Sequence, residues 1–239
     1  DSIKSRETGG SYLKTGFQLI NRQTGGFGIR RGELVAINAL QHNYKSGMTR
    51  AIFASVALTN IPQVKDNRKP LLLHVSFEDT LNDSLEYFYK FLYENETGKE
   101  ADISLMSVDE ISSYVIKRLT VNGWHIELRH VNPYIWTYRN LCDYIIQKET
   151  EGYEVHLCAV DYLLKLPTIG CDGQAGGEAL RNLFERIKAF FQARNIAFIT
   201  PHQISTDAKM MIREGRNNFV KELPGKGYYA GSKQLDQVF

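Results

Sequence analysis

Residues 33–50 read ELVAINALQHNYKSGMTR, and the parsing of this stretch decides the fold. An apolar run from Glu33 to Ala39 reads as a buried strand. It gives way to Leu40-Gln41-His42-Asn43-Tyr44, and Lys45-Ser46 then opens a helical pattern that runs from Ser46 to Asn60. Strand, loop, Lys-Ser and helix is the order of a phosphate-binding P-loop, in which a lysine reaches the terminal phosphates and a hydroxyl ligates magnesium. The helix amino terminus adds its own attraction for an anion. The pattern GxxxxGK(S/T) fails at both glycines, where Ala39 and Tyr44 stand. Those glycines normally allow the tight turn and the close approach of backbone to phosphate. Tyr44 must therefore point away or fill part of the nucleotide space, and a plain strand-to-helix loop also accounts for these residues.

Working outward, four more apolar runs read as strands: Pro70 to Glu78, Trp124 to Val131, Val155 to Tyr162 and Ile196 to His202. Most are nearly continuous rather than alternating, as expected of parallel strands covered on both faces. Helical patterns separate them, at Leu81 to Glu96, Ser107 to Val121, Pro133 to Thr150 and Gly177 to Arg194. Ser107 and Glu110 form a capping box, and Pro133 suits a first helical turn, where no N–H is lost. Leu180, Leu183, Phe184, Ile187 and Phe190 make one apolar stripe on the last helix. Such alternation predicts an α/β domain with a mostly parallel sheet and helices on both faces.

The composition agrees. Hydrophobic residues are 43% and charged residues 23% of the 239, which excludes a disordered or collagen-like chain. The net charge of +2 makes any electrostatic patch a local one. No run of about 18 apolar residues offers a membrane span. Three cysteines without a CxxC pair fit a reducing compartment and no zinc site. The polar opening, residues 1–10, reads as a linker or tail, with one domain over residues 11–239.

In such sheets ligands bind beyond the carboxyl ends of the strands, and four strands leave a chemically apt group there. Asp161 closes Leu157-Cys158-Ala159-Val160, a placement suited to holding a metal or its water, although a solvated carboxylate is equally common where a strand meets a loop. Glu78 ends VSFE and can polarise an attacking water. Gln203 follows Thr200-Pro201-His202 and could place an amide in reach of a terminal phosphate or of a DNA loop, although Glu78 and Gln203 each also read as a plain cap or loop residue. The six histidines form no metal-ligand pattern, and Tyr87, Phe88, Phe91 and Leu92 read as a core-facing stripe. Two loops follow these strands. Residues 167–177 are glycine-rich, whereas residues 205–232 carry Lys209, Arg213, Arg216, Lys221 and Lys226 against three acidic residues, a local excess that can track a phosphate backbone or equally belong to a solvated surface loop.

With these segments in order, the sequence resembles the RecA-like motor domain of DnaB-type replicative helicases and their phage relatives. The resemblance rests on TGFQLINRQTGGFGIRRGELVAINA with Lys45-Ser46, on VSFED, on VHLCAVDYLLKL, on EALRNLFERIKAFFQARNIAFITPHQIS and on GKGYYAGSKQLDQVF. It implies a RecA-like P-loop NTPase fold and ATP with Mg2+ as cofactors. The phosphates would lie against Leu40, Gln41, His42, Asn43, Tyr44, Lys45, Ser46 and Gly47. Ser46 and Asp161 would serve the metal, Glu78, Lys45 and Gln203 catalysis, and the five basic loop residues DNA. It further implies a homo-hexameric ring on single-stranded DNA in the cytoplasm, away from membranes, with a primase and a helicase loader as partners. The resemblance also implies a chain that stops before the family's lysine/arginine pair, so that the domain is incomplete at its carboxyl end. Rival readings are a RecA-like ATPase of another branch and a non-hydrolysing relative.

Overall fold

The computed structural model describes residues 11–39, 44–172, 178–203, 214 and 237–238. A small antiparallel ribbon, β1 (Tyr12–Leu13) with β2 (Ile29–Arg30), encloses the short helix α1 (Gln18–Gln23). Gly28 makes the ribbon possible, because a Cβ there would lie 2.2 Å from the Leu13 carbonyl oxygen and its φ is +96°. The main sheet contains β3 (Leu34–Ala39), β4 (Lys69–Ser76), β5 (His125–His130), β6 (Tyr153–Asp161), β7 (Ala197–Gln203) and β8 (Gln237–Val238). Their order is β5-β4-β6-β7-β3-β8, and every pairing is parallel. All five expected strands form. The ribbon and β8 are two-residue strands with too little pattern to be read from sequence.

Helices cover both faces. Val35, Ile37, Leu72, Leu157, Ala159, Ala197 and Ile199 pack with α2 (Lys45–Thr59), α3 (Leu81–Thr97) and α4 (Val108–Leu119). The alternate residues Leu34, Leu71, Leu73, Val155, Cys158, Val160 and Phe198 pack with α5 (Tyr138–Thr150) and α6 (Glu178–Ala193). Burial on both faces is the reason these strands read as continuous apolar runs. On α6 the fully buried aromatic at the far end of the stripe is Phe191, with Phe190 only partly covered.

The Ser107–Glu110 capping box is present. The helix expected from Pro133 begins five residues later. Asn132 accepts the Tyr134 N–H at 3.0 Å and holds the chain around Pro133 in a turn, while Asn140 accepts the Thr137 N–H at 2.8 Å and starts α5 there.

The register sets the site. Ala39 pairs with Gln203 across β3 and β7, and Ser76 pairs with Asp161 across β4 and β6. The strand ends are tied together beyond the ladders. The Phe77 N–H donates to the Asp161 carbonyl at 2.7 Å, and the Leu163 N–H donates to the Thr200 hydroxyl at 3.0 Å.

Candidate nucleotide site

At the carboxyl edge of the sheet lies a cleft of about 640 Å³, bounded by α2, α3, the β4 end and the segment after β6. Its walls include Lys45, Ser46, Gly47, Glu78 and Gln203, so residues that sequence reasoning drew from three separate segments meet in one space. That volume lies within the range of about 300–1,000 Å³ typical of small-molecule pockets.

Tyr44 precedes α2 with φ 50° and ψ 25°, the left-handed conformation that a glycine would take without strain. The backbone thus keeps the turn although the glycine is gone. The side chain is 86% exposed and stands at the wall of the cleft. Lys45 and Ser46 form the first turn of α2, at the helix end whose leading N–H groups have no intrahelical partner. The Lys45 ammonium lies 5.5 Å from the centre of the Tyr162 ring. The Ser46 hydroxyl donates to Asp161 Oδ1 at 2.9 Å.

Glu78 follows β4 in a turn shaped by Ser76, whose hydroxyl accepts the Glu78 and Asp79 N–H groups at 3.3 and 2.9 Å. Its carboxylate is 44% exposed and stands 3.6 Å from the Lys165 ammonium. Lys165 in turn lies 5.3 Å from the Tyr162 ring centre, and proximity to Tyr162 and Glu78 raises its pKa. Gln203 ends β7 in the same cleft.

Arg50, one turn along α2, was not singled out by sequence reasoning. It is 5% exposed, pairs with Asp79, and donates to Asp161 Oδ2 at 3.0 Å while its guanidinium carbon lies 5.3 Å from the Tyr87 ring centre. Its role emerges only in the folded chain, where α2 is buried nearly all round and a cation in such a helix needs a carboxylate partner. Tyr87 corrects a second expectation. Phe88 and Leu92 are core, but Tyr87 lines the cleft and donates its hydroxyl to the Gly47 carbonyl at 2.6 Å.

Asp161 is 0% exposed, and both its oxygens are engaged, one by Ser46 and one by Arg50. Burial pushes its pKa up, while Arg50 and the Ser46 hydroxyl pull it back. These contacts test the magnesium expectation. Ser46 suits a metal ligand, since its hydroxyl lone pairs remain open beside the cleft. Asp161 does not suit the part assigned to it, because a guanidinium occupies its second oxygen and it does not reach the cleft wall. Among the described residues, no group of three or more His, Cys, Asp or Glu side chains is placed to hold a metal ion. As folded, the Asp161 carboxylate is engaged by Ser46 and Arg50 rather than open to a divalent cation.

The expected phosphate-contacting residues Leu40, Gln41, His42 and Asn43 lie outside the described residues, as do the expected DNA-contacting residues Lys209, Arg213, Arg216, Lys221 and Lys226.

The family model for divergent DnaB-like ATPases matches residues 1–239. The chain belongs to the divergent DnaB-like ATPases. Two solved structures place this DnaB-like ATPase domain in the RecA-like fold. One, described as an ATPase domain, is similar with a TM-score of 0.65 at 16% identity, over 99% of this chain and 78% of that one. The other, a DnaB-like replicative helicase described with its interactions with primase, is similar with a TM-score of 0.60 at 15% identity, over 99% of this chain and 52% of that one. The DnaB-like ATPase chain thus spans about half the length of that helicase. No curated protein matches the chain. Among the described residues of this DnaB-like domain, no helix is long and apolar enough to cross a membrane.

Proposed function

We propose that this chain is the ATP-driven motor domain of a DNA-translocating helicase. One observation carries the reading: Lys45, Ser46, Glu78 and Gln203, contributed by one helix and the ends of two strands, line a single cleft. Lys45 and the first turn of α2 would hold the terminal phosphates. Glu78, paired with Lys165, would orient and polarise the attacking water. Gln203, hydrogen-bonding the terminal phosphate, would carry its loss into β7 and the residues beyond. Catalysis of this kind is mainly positioning and charge stabilisation rather than covalent chemistry.

The larger assembly belongs to the same proposal. A homo-hexameric ring would pass single-stranded DNA over Lys209, Arg213, Arg216, Lys221 and Lys226 and unwind duplex in the cytoplasm, with a primase and a loader as partners. Titration calorimetry with ATP tests the base of the reading. Lys45→Ala is expected to weaken binding by more than about tenfold, which is about 1.4 kcal/mol. Equal affinity for the wild type and Lys45→Ala refutes it.

A specific observation favours one rival, a nucleotide-binding relative without turnover: Arg50 sits on the carboxylate expected to serve the metal. Phosphate release on addition of single-stranded DNA decides between them.

A further inference from the structure

The disagreement between the magnesium expectation and the folded site points to a property of this chain itself. A divalent cation in a triphosphate site offsets phosphate charge and is anchored, directly or through water, by a carboxylate. Both tasks are already performed here by side chains. The cleft wall carries three cations, Lys45, Arg50 and Lys165, and the carboxylate Glu78, with the carboxylates of Asp79 and Asp161 held against Arg50. Asp161, the anchoring carboxylate by sequence, is buried behind Ser46 and neutralised by Arg50, which also pairs with Asp79. Arg50 is held in this place from several sides. Its own helix is buried on most faces, Tyr87 lies against the guanidinium, and Tyr87 is anchored through its hydroxyl to Gly47. The guanidinium is part of the cleft wall, while its Nε is buried without a hydrogen-bond partner among the described residues. A guanidinium is always charged and presents several donors in a fixed fork suited to phosphate oxygens.

We propose that Arg50 is the resident counter-cation of this site, so that the cleft holds a nucleoside triphosphate without requiring a divalent cation. The inference rests on the nucleotide-binding reading above and deepens it: the ligand is the metal-free triphosphate as well as its metal complex. Arg50 is a binding residue that faces the phosphates and at the same time occupies the oxygen through which Asp161 would serve a metal.

Titration calorimetry of the full chain with ATPγS, in excess magnesium and in EDTA, tests this directly. Affinities within about threefold of each other are expected, whereas a loss of about tenfold or more in EDTA overturns the role given to Arg50 and leaves nucleotide binding standing. Absence of binding in both buffers, matching Lys45→Ala, removes the nucleotide reading and this inference with it. Arg50→Met, shown to be folded by circular dichroism, is expected to bind about tenfold more weakly in EDTA than in magnesium, because Asp161 is then released. An Arg50→Met protein as indifferent to magnesium as the wild type overturns the assignment to Arg50. The wild-type comparison stands whether or not that variant folds.

Discussion

The Ser46 hydroxyl and the Asp161 carboxylate, 115 residues apart, are joined by a 2.9 Å hydrogen bond that fastens the first turn of α2 to the end of β6. The bond positions that turn and satisfies an oxygen buried away from water. Ser46→Ala removes the donor and leaves Asp161 with Arg50 as its remaining side-chain partner among the described residues. The expected cost is about 1–3 kcal/mol, the penalty of an unsatisfied buried acceptor. Urea unfolding measures it, and Ser46→Thr, which keeps the hydroxyl, should recover most of the loss.

Glu78 separates binding from turnover. It is half-exposed, pairs with Lys165 and contributes nothing to the core. Glu78→Gln should therefore leave ATP affinity and melting temperature near those of the wild type. Its rate of ATP hydrolysis should fall by about 10²–10⁴-fold, the usual contribution of a positioned general base. A Glu78→Gln protein that hydrolyses ATP as fast as the wild type removes Glu78 from the chemistry.

Tyr44 stands where a glycine would be easier. A non-glycine residue in the left-handed region costs about 1–2 kcal/mol, and the exposed phenol recovers little of that by burial. Tyr44→Gly relieves the strain and incurs a chain-entropy penalty of about 0.5–1 kcal/mol, so a net gain of up to about 1.5 kcal/mol is expected. Thermal melting reads the gain. A marked loss of stability would mean that the tyrosine ring makes contacts this conformation does not contain.

Three buried histidines make the fold sensitive to acid. Burial lowers the pKa of His74 to about 3 and those of His156 and His202 to about 4, from the usual 6.5. Both His74 nitrogens lack hydrogen-bond partners among the described residues, and its ring meets Phe53 and Phe88 edge-on at 5.6 Å. The unfolded chain takes up protons as pH falls through 6.5, whereas the fold refuses them until pH about 4 or 3. Stability is therefore full above 6.5 and declines below it, by at most about 1.4 kcal/mol per pH unit per histidine. Melting temperatures at about pH 7.5 and about pH 5 should show the fall. In His74→Met the fall should be smaller by roughly one histidine's share.

The sheet was legible in the sequence because its strands are covered on both faces, and burial on both sides leaves an unbroken apolar run such as Leu71 to Val75. Lys45, Ser46, Glu78 and Gln203 were legible for a related reason. Each sits just past such a run, and parallel register carries all the run ends to one edge. Arg50 and Tyr87 were not, because their meaning lies in pairs that only the folded chain creates: a cation between two distant carboxylates, and a hydroxyl reaching from α3 to α2. The true start of α5 was missed because Pro133 permits a helix start, whereas the side chains of Asn132 and Asn140 decide where it occurs.

The position of β3 has a consequence for synthesis on the ribosome. Its two neighbours, β7 and β8, are the last of the described strands of the main sheet to be translated. Until they emerge, the run from Leu34 to Ile37 lacks both strands it docks on, and contacts this distant in sequence form slowly. A nascent chain halted before residue 197 would therefore present an unpaired apolar edge to chaperones, and the first turn of α2 would gain its final shape only after both strands have left the ribosome.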